Sequence, residues 1–174
     1  MQITSRVFQH NEYIPGKYTC DGPDVNPPLT FSDIPVQTKS MVIIVDDPDA
    51  PDGLFTHWAL YNLSPGTQQL SENAGSGAGT QGRNDFGTIG YGGPCPPTGT
   101  HRYFFRLFAL NEELHLPEGL PRKELNDALK NHIVEIAELI GLYEKRSEPS
   151  EVFSQDLNEY TDDRNTSEGQ LVTV

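Results

Sequence analysis

Apolar residues in this chain recur as short β-rich runs separated by clusters of Pro, Gly, Asn and Asp, the punctuation of a β protein. The main runs span residues 40–46, 56–63 and 101–110. From Met41 to Val45 the sequence is continuously apolar, which predicts a strand covered on both faces. In the last run Tyr103, Phe105, Leu107 and Ala109 alternate with Phe104, Arg106, Phe108 and Leu110, and both sets are largely apolar. Two layers of sheet, or a sheet covered by other elements, satisfy this pattern.

One helix is predicted. Pro121 suits a first turn, and Leu125, Ala128, Leu129, His132 and Ile133 recur at three- and four-residue steps. The pattern blurs from Val134 to Tyr143, which either continues the helix to Gly141 or turns into a strand; periodicity alone does not decide. From Glu144 onward the chain is polar and acidic, and Phe153, Leu157 and Tyr160 stand at helical spacing. The expectation there is a partly mobile tail or a short docked helix.

Composition narrows the function. A chain of 174 residues is long enough for one well-buried core and argues against two full domains. Its formal net charge of -13 leaves no basic field for nucleic acid or an anionic membrane face, so neither is expected as a partner. There is no 18-residue apolar run, and the first residues lack the charged-then-apolar order of a secretion signal. The expected address is cytoplasmic. Cys20 and Cys95 are too few for a disulfide framework and lack metal-ligand spacing. Two reduced thiols in a reducing cytosol are the first expectation. A redox-labile bridge is the alternative, because both lie in Pro/Gly loops.

The candidate chemistry sits in two clusters. In one, Gly90-Tyr91-Gly92-Gly93-Pro94-Cys95-Pro96-Pro97 runs through Thr98-Gly99-Thr100 into His101-Arg102-Tyr103, so a stiff loop presents a histidine at the start of an aromatic strand. In the other, Asp47-Pro48-Asp49-Ala50-Pro51 is followed by His57-Trp58. A histidine beside a proline-rich loop occurs in both, with acids in the second, which implies one shared site. The intervening Gly77-Ala78-Gly79-Thr80-Gln81-Gly82 matches a dinucleotide fingerprint in form only; with no visible strand before it or helix after it, and no phosphate-loop lysine, it reads as a surface loop. Residues 81–87, an Asn and an Asp among glycines and an aromatic, suit a loop held by side-chain to backbone hydrogen bonds.

In order and separation these motifs resemble the phosphatidylethanolamine-binding protein family, most closely its bacterial and archaeal branch, often called Raf-kinase-inhibitor-like proteins. Tyr18-Thr19-Cys20-Asp21-Gly22, Pro27-Pro28-Leu29, Gly82-Arg83-Asn84-Asp85-Phe86-Gly87 and Ala137-Glu138-Leu139-Ile140-Gly141 add to the likeness, which covers residues 1–146 and leaves 147–174 as an acidic extension. The resemblance implies a mainly β fold: a central antiparallel sheet packed on a smaller one, with a few peripheral helices. It also implies a final strand over residues 136–143. It further implies a small anion pocket lined by Asp47, Asp49, Pro51, His57, Gly93, Pro94, Cys95, His101 and Tyr103, without a cofactor or metal. Cys95 stands where other branches often carry proline, so its rim of the pocket is expected to be softer and redox-sensitive.

The residue chemistry is compatible with that pocket. Protonated His57 and His101 are double donors, Asp47 favours the protonated form and fixes a ring, and Tyr103 adds a hydroxyl. Arg102 and Arg106 read as structural ion-pair partners, and His10, His115 and His132 as surface or satisfied residues. Three function classes follow. The leading one is a non-catalytic binding or regulatory module for a phosphate-bearing small molecule or phosphorylated protein, modulating a kinase or other signalling protein. The others are a protease or kinase inhibitor acting through its loop surface, and a phosphate-ester hydrolase or metal-dependent enzyme using Asp47, His57 and His101. A homodimer is compatible with the family likeness.

Overall fold

The computed structural model describes residues 1–75 and 77–145. Its centre is β4 (Ser40–Asp47), every residue of which is buried, as a run of Val and Ile with no charge before Asp46 requires. β4 pairs antiparallel with β5 (Phe55–Leu63) on one side and β8 (Thr100–Leu110) on the other. β8 pairs along its length with β9 (Ile133–Glu144), and the two-residue strands β2 (Glu12–Tyr13) and β7 (Thr80–Gln81) close the edges. The resulting sheet has the order β2-β9-β8-β4-β5-β7; the β2–β9 pair is parallel and the rest antiparallel. A smaller sheet, β1-β3-β6, consists of β1 (Gln2–Thr4), β3 (Leu29–Ser32) and β6 (Gln69–Leu70).

Alternation along the central strands divides the core in two. Met41, Ile43 and Val45 of β4 and Tyr103, Phe105 and Leu107 of β8 pack toward the smaller sheet, against Ile3, Leu29 and Phe31. Val42, Ile44, Phe108 and Leu110 face the other way and are covered by Leu125 and Leu129 of α1 (Arg122–Leu129). The expected two-sided burial of this sheet is therefore met by a second sheet on one face and one short helix on the other.

The helix is shorter than its apolar spacing predicts. It ends at Leu129, Asn131 takes a positive φ of 77°, and His132 and Ile133 lie beyond it. Leu125 and Leu129, with Leu114, Leu116 and Leu120 packed beside them, cover the patch, while the residues after the helix gain a full ladder against β8, with Ala137, Leu139, Gly141 and Tyr143 buried at two-residue steps. This settles the ambiguous 134–143 segment as strand, as the family likeness implies. The 77–82 segment is more than a surface loop: Thr80 and Gln81 pair with β5, and the Gln81 side chain accepts the Trp58 indole N–H at 2.7 Å. The expected tail helix at Phe153, Leu157 and Tyr160 lies outside the described residues. Among the described residues no helix is long and apolar enough to cross a membrane.

Candidate functional site

Asp46 and Asp47 are consecutive on β4 and therefore point to opposite faces. Asp46, fully buried on the helix side, accepts from Thr56 Oγ1 at 2.9 Å and from Arg122 Nε and Nη2 at 3.3 and 3.1 Å. It pins the first residue of α1 to the sheet. Asp47 closes a turn by accepting the Asp49 N–H through Oδ1 at 2.8 Å, and its Oδ2 holds His101 Nδ1 at 2.7 Å. That bond puts the proton on Nδ1 of the neutral ring and leaves Nε2 for other partners.

A strand irregularity delivers the second histidine. Thr56 and Trp58 pair with the successive residues Asp46 and Val45, so His57 is the extra residue of a β-bulge. Thr56 turns to Asp46 on the helix side. His57 and Trp58 instead both stand on the opposite face, His57 with its ring 5.1 Å from that of Tyr103 and Trp58 in the inter-sheet core. Without the bulge, strict alternation would separate them. His57 Nδ1 donates to the Gly92 carbonyl at 2.7 Å and the Gly92 N–H returns a bond to the His57 carbonyl at 2.9 Å, which joins β5 to the Gly/Pro loop. Burial pulls the His57 imidazole below its ordinary value, against the smaller opposing pull of the Gly92 carbonyl and the Asp47 charge. Neutral His57, protonated on Nδ1, offers a lone pair on Nε2; protonation converts it to a donor.

Tyr103 is fully buried, and its hydroxyl, beside the backbone N–H of Cys95, makes no hydrogen bond of good geometry. Burial and the Asp47 charge raise its pKa, so it remains a donor at all ordinary pH values. A cavity of about 180 Å³ is lined by Tyr103, both histidines, Asp47, Pro51 and Cys95. Six of the nine expected residues thus meet at one cavity. Asp49, Gly93 and Pro94 stand behind it. The Asp49 carboxylate takes Arg102 Nε and Nη2 at 2.8 and 2.7 Å, and this pairing holds its pKa below the usual value. The Gly93 N–H is bound to Asp24 Oδ1 at 2.7 Å, and the Pro94 carbonyl accepts the Cys20 N–H at 3.1 Å.

The cavity also holds residues that the motif reading passed over, chiefly Phe55 and Phe86. Phe86 is 48% exposed, with its ring 4.8 Å from Phe55 and 5.3 Å from His57, and a Cβ at position 92 would lie 2.5 Å from that ring. Gly92 leaves room for that close approach. The loop carrying Phe86 is held as its composition suggests: the Asn84 side chain binds Thr88 and the Gly90 carbonyl, and Asp85 Oδ2 accepts the Thr56 N–H at 2.6 Å. The sequence signal was present in this fixed aromatic between Asp85 and Gly87, but only the folded loop places it at the cavity.

The first expectation for the cysteines is corrected. Cys20 and Cys95 are bridged, with Cα atoms 5.4 Å apart. The 3-10 turn at Gly16–Tyr18 and the chain after it lie against residues 91–95, where Tyr91 Oη also donates to the Tyr18 carbonyl at 2.8 Å. A larger cavity of about 470 Å³ lies between β1 and β9, but its histidine, His10, already accepts the Ile140 N–H and no second imidazole joins it. Arg106 pairs with Glu138 at 2.8 Å, a structural ion pair as expected.

Comparison with known proteins gives one answer. Residues 4–144 match a family model described as phosphatidylethanolamine-binding protein. A UPF0098 protein of Pyrococcus horikoshii is 49% identical over 150 residues, covering 82% of this chain and 76% of its own length. A Chlamydia trachomatis structure titled a putative phosphatidylethanolamine-binding protein homolog superposes with a TM-score of 0.80 at 47% identity, covering 83% of this chain and 97% of that one. Escherichia coli YbcL, described as a new member of the mammalian family, gives 0.78 at 32% identity, with coverages of 83% and 98%.

Proposed function

Because this chain belongs to the phosphatidylethanolamine-binding protein family, we propose that it is a non-catalytic binding and regulatory protein whose cavity takes a phosphate group, on a small head group or on a phosphorylated protein segment. The observation that carries the reading is the buried Tyr103 hydroxyl, a donor without a partner, on a cavity shared with His57 and His101. A buried polar group left unpaired costs about 1–3 kcal/mol. An anion oxygen accepting from Tyr103 removes that cost. Protonated His57 and His101 each keep one nitrogen on a protein acceptor, Gly92 or Asp47, and offer the other to the ligand. Asp47 compensates one positive charge, which lets an acidic protein hold a small anion site.

Titration of inorganic phosphate and phosphoethanolamine, followed through the two imidazole signals by NMR, tests this. Saturable shifts in both rings are expected, with loss of binding in the double variant His57→Ala, His101→Ala. Unperturbed rings at saturating phosphate would remove the central claim. The Asp47–His101 pair also favours a second reading, since a carboxylate orienting an imidazole is the support of a general base. Turnover of a generic phosphate ester by the purified protein, lost in His101→Ala, would establish it over the binding reading.

A further inference from the structure

The cavity wall is not held evenly. Residues 91–94 are tied to the chain opposite by three hydrogen bonds: Tyr91 Oη to the Tyr18 carbonyl, the Gly93 N–H to Asp24, and the Cys20 N–H to the Pro94 carbonyl. None of Gly92, Gly93 and Pro94 lines the cavity. The part of the loop that does line it is Cys95, Pro96 and Pro97. Neither Pro96 nor Pro97 has an N–H to donate. The covalent anchor of this stretch is the bridge from Cys95 to Cys20. Cys20 is itself well founded. Its neighbour Asp21 accepts from the Tyr143 hydroxyl, and Tyr143 stands opposite His101 in the β8–β9 ladder. Both cysteines are half-buried and so open to small thiols.

We propose that the Cys20–Cys95 bridge is a redox latch on the anion cavity: the disulfide holds the Cys95–Pro97 wall in its binding position, and reduction releases it and weakens anion binding. The inference rests on the phosphate reading of the site and adds its regulation. The chemistry is thiol–disulfide exchange with a dithiol reductant. One reductant thiolate attacks a bridge sulfur to give a mixed disulfide and a cysteine thiolate; the second reductant thiol displaces the remaining cysteine. The reductant leaves as a disulfide, and two electrons and two protons are delivered to the chain as two thiols. The released wall also moves the Cys95 N–H away from the Tyr103 hydroxyl beside it, so the latch reaches the surroundings of a donor as well as the rim.

The test uses the full chain, air-oxidised and dithiothreitol-reduced, with inorganic phosphate and phosphoethanolamine as probes. Affinity is expected to fall at least tenfold on reduction while the near-UV circular dichroism keeps its folded signature. By linkage, a tenfold coupling makes the bridge's midpoint potential about 30 mV more negative at saturating phosphate. Cys20→Ser, which changes no cavity-lining residue, is expected to bind like the reduced wild type whether or not reductant is present. Equal affinity in both redox states overturns the latch and leaves the phosphate reading standing. Binding in neither state overturns that reading and the latch with it. Two free thiols per chain after air oxidation, or loss of the folded signature on reduction, also overturns the latch, the latter because the bridge is then a staple of the fold.

Discussion

At the scale of single residues, neighbours in sequence do unrelated jobs. Asp46 faces arginines and a threonine, whereas Asp47 holds a histidine. Tyr103 is the most informative residue, because its hydroxyl is buried without a partner. Tyr103→Phe is therefore expected to leave stability unchanged or raise it by about 1 kcal/mol, since the unpaired group is removed. In the same variant phosphate affinity should fall by about fivefold to tenfold, the loss of one hydrogen bond to a charged group. Denaturant melts and phosphate titrations on one preparation check both signs, and a variant that loses stability and keeps affinity contradicts the assignment. His57 sets the pH response. Its folded pKa lies below the ordinary 6.5, so the unfolded chain binds the extra proton first. Stability is therefore expected to drop as pH falls below about 6.5 toward the folded value, and a bound anion should oppose the drop. Affinity has the opposite dependence: binding takes up a proton at His57, so it weakens as pH rises. Sulfate, which does not titrate in this range, separates the histidine from the ligand. Constant sulfate affinity from pH 5 to about 8.5 would overturn the imidazole donor role.

At the scale of elements, the bulge in β5 and the Asp46 cluster divide site from scaffold. The bulge turns His57 to the cavity face. The Asp46–Arg122 pair ties α1 to β4 on the other face, with Arg106 Nη1 3.6 Å from the same carboxylate. Asp46→Ala removes a fully buried carboxylate from Thr56 and from the half-buried Arg122, and the expected cost is about 1–3 kcal/mol. Because Asp46 faces the helix side and does not line the cavity, phosphate affinity of the folded fraction should fall by less than about fivefold, the coupling lost being the small upward pull of the Asp46 charge on His57. Thermal melts and titrations on the same variant separate these effects; a large loss of affinity with little loss of stability would reverse the two roles. The helix boundary shows what periodicity can mislead. Ala128, Leu129, His132 and Ile133 fit helical spacing, yet His132 and Ile133 lie past the end of α1, because a ladder with β8 offers the backbone more than another helical turn.

For the molecule as a whole, a net charge of -13 surrounds a site read as anion-binding. Long-range repulsion should slow the approach of an anion, while the short-range contacts at the cavity are screened less. The phosphate association rate is therefore expected to rise when ionic strength increases from about 0.01 to 0.15 M, over which the Debye length falls from about 30 to 8 Å. Stopped-flow measurement at constant pH checks this. A rate that falls with salt would mean that the local imidazolium field, not the overall charge, governs encounter.

Much of this was legible in the chain itself. Continuous burial of residues 41–45 follows from an unbroken apolar run, which has no polar face to offer water. Motif order and spacing marked both histidines, Asp47, Tyr103 and the Gly/Pro wall, because rigid loops and special backbone positions need particular residue types. Tertiary structure decided the rest. Whether residues 134–143 were helix or strand depended on the partner strand, since their apolar pattern fits either period. The direction of His57 depended on a pairing irregularity between two strands, and the Cys20–Cys95 bridge on the approach of loops 75 residues apart. Sequence thus determined which groups had to be buried and which loops had to be stiff. Only the fold decided how they meet, because contacts between distant segments are set by packing and strand register rather than by local preference.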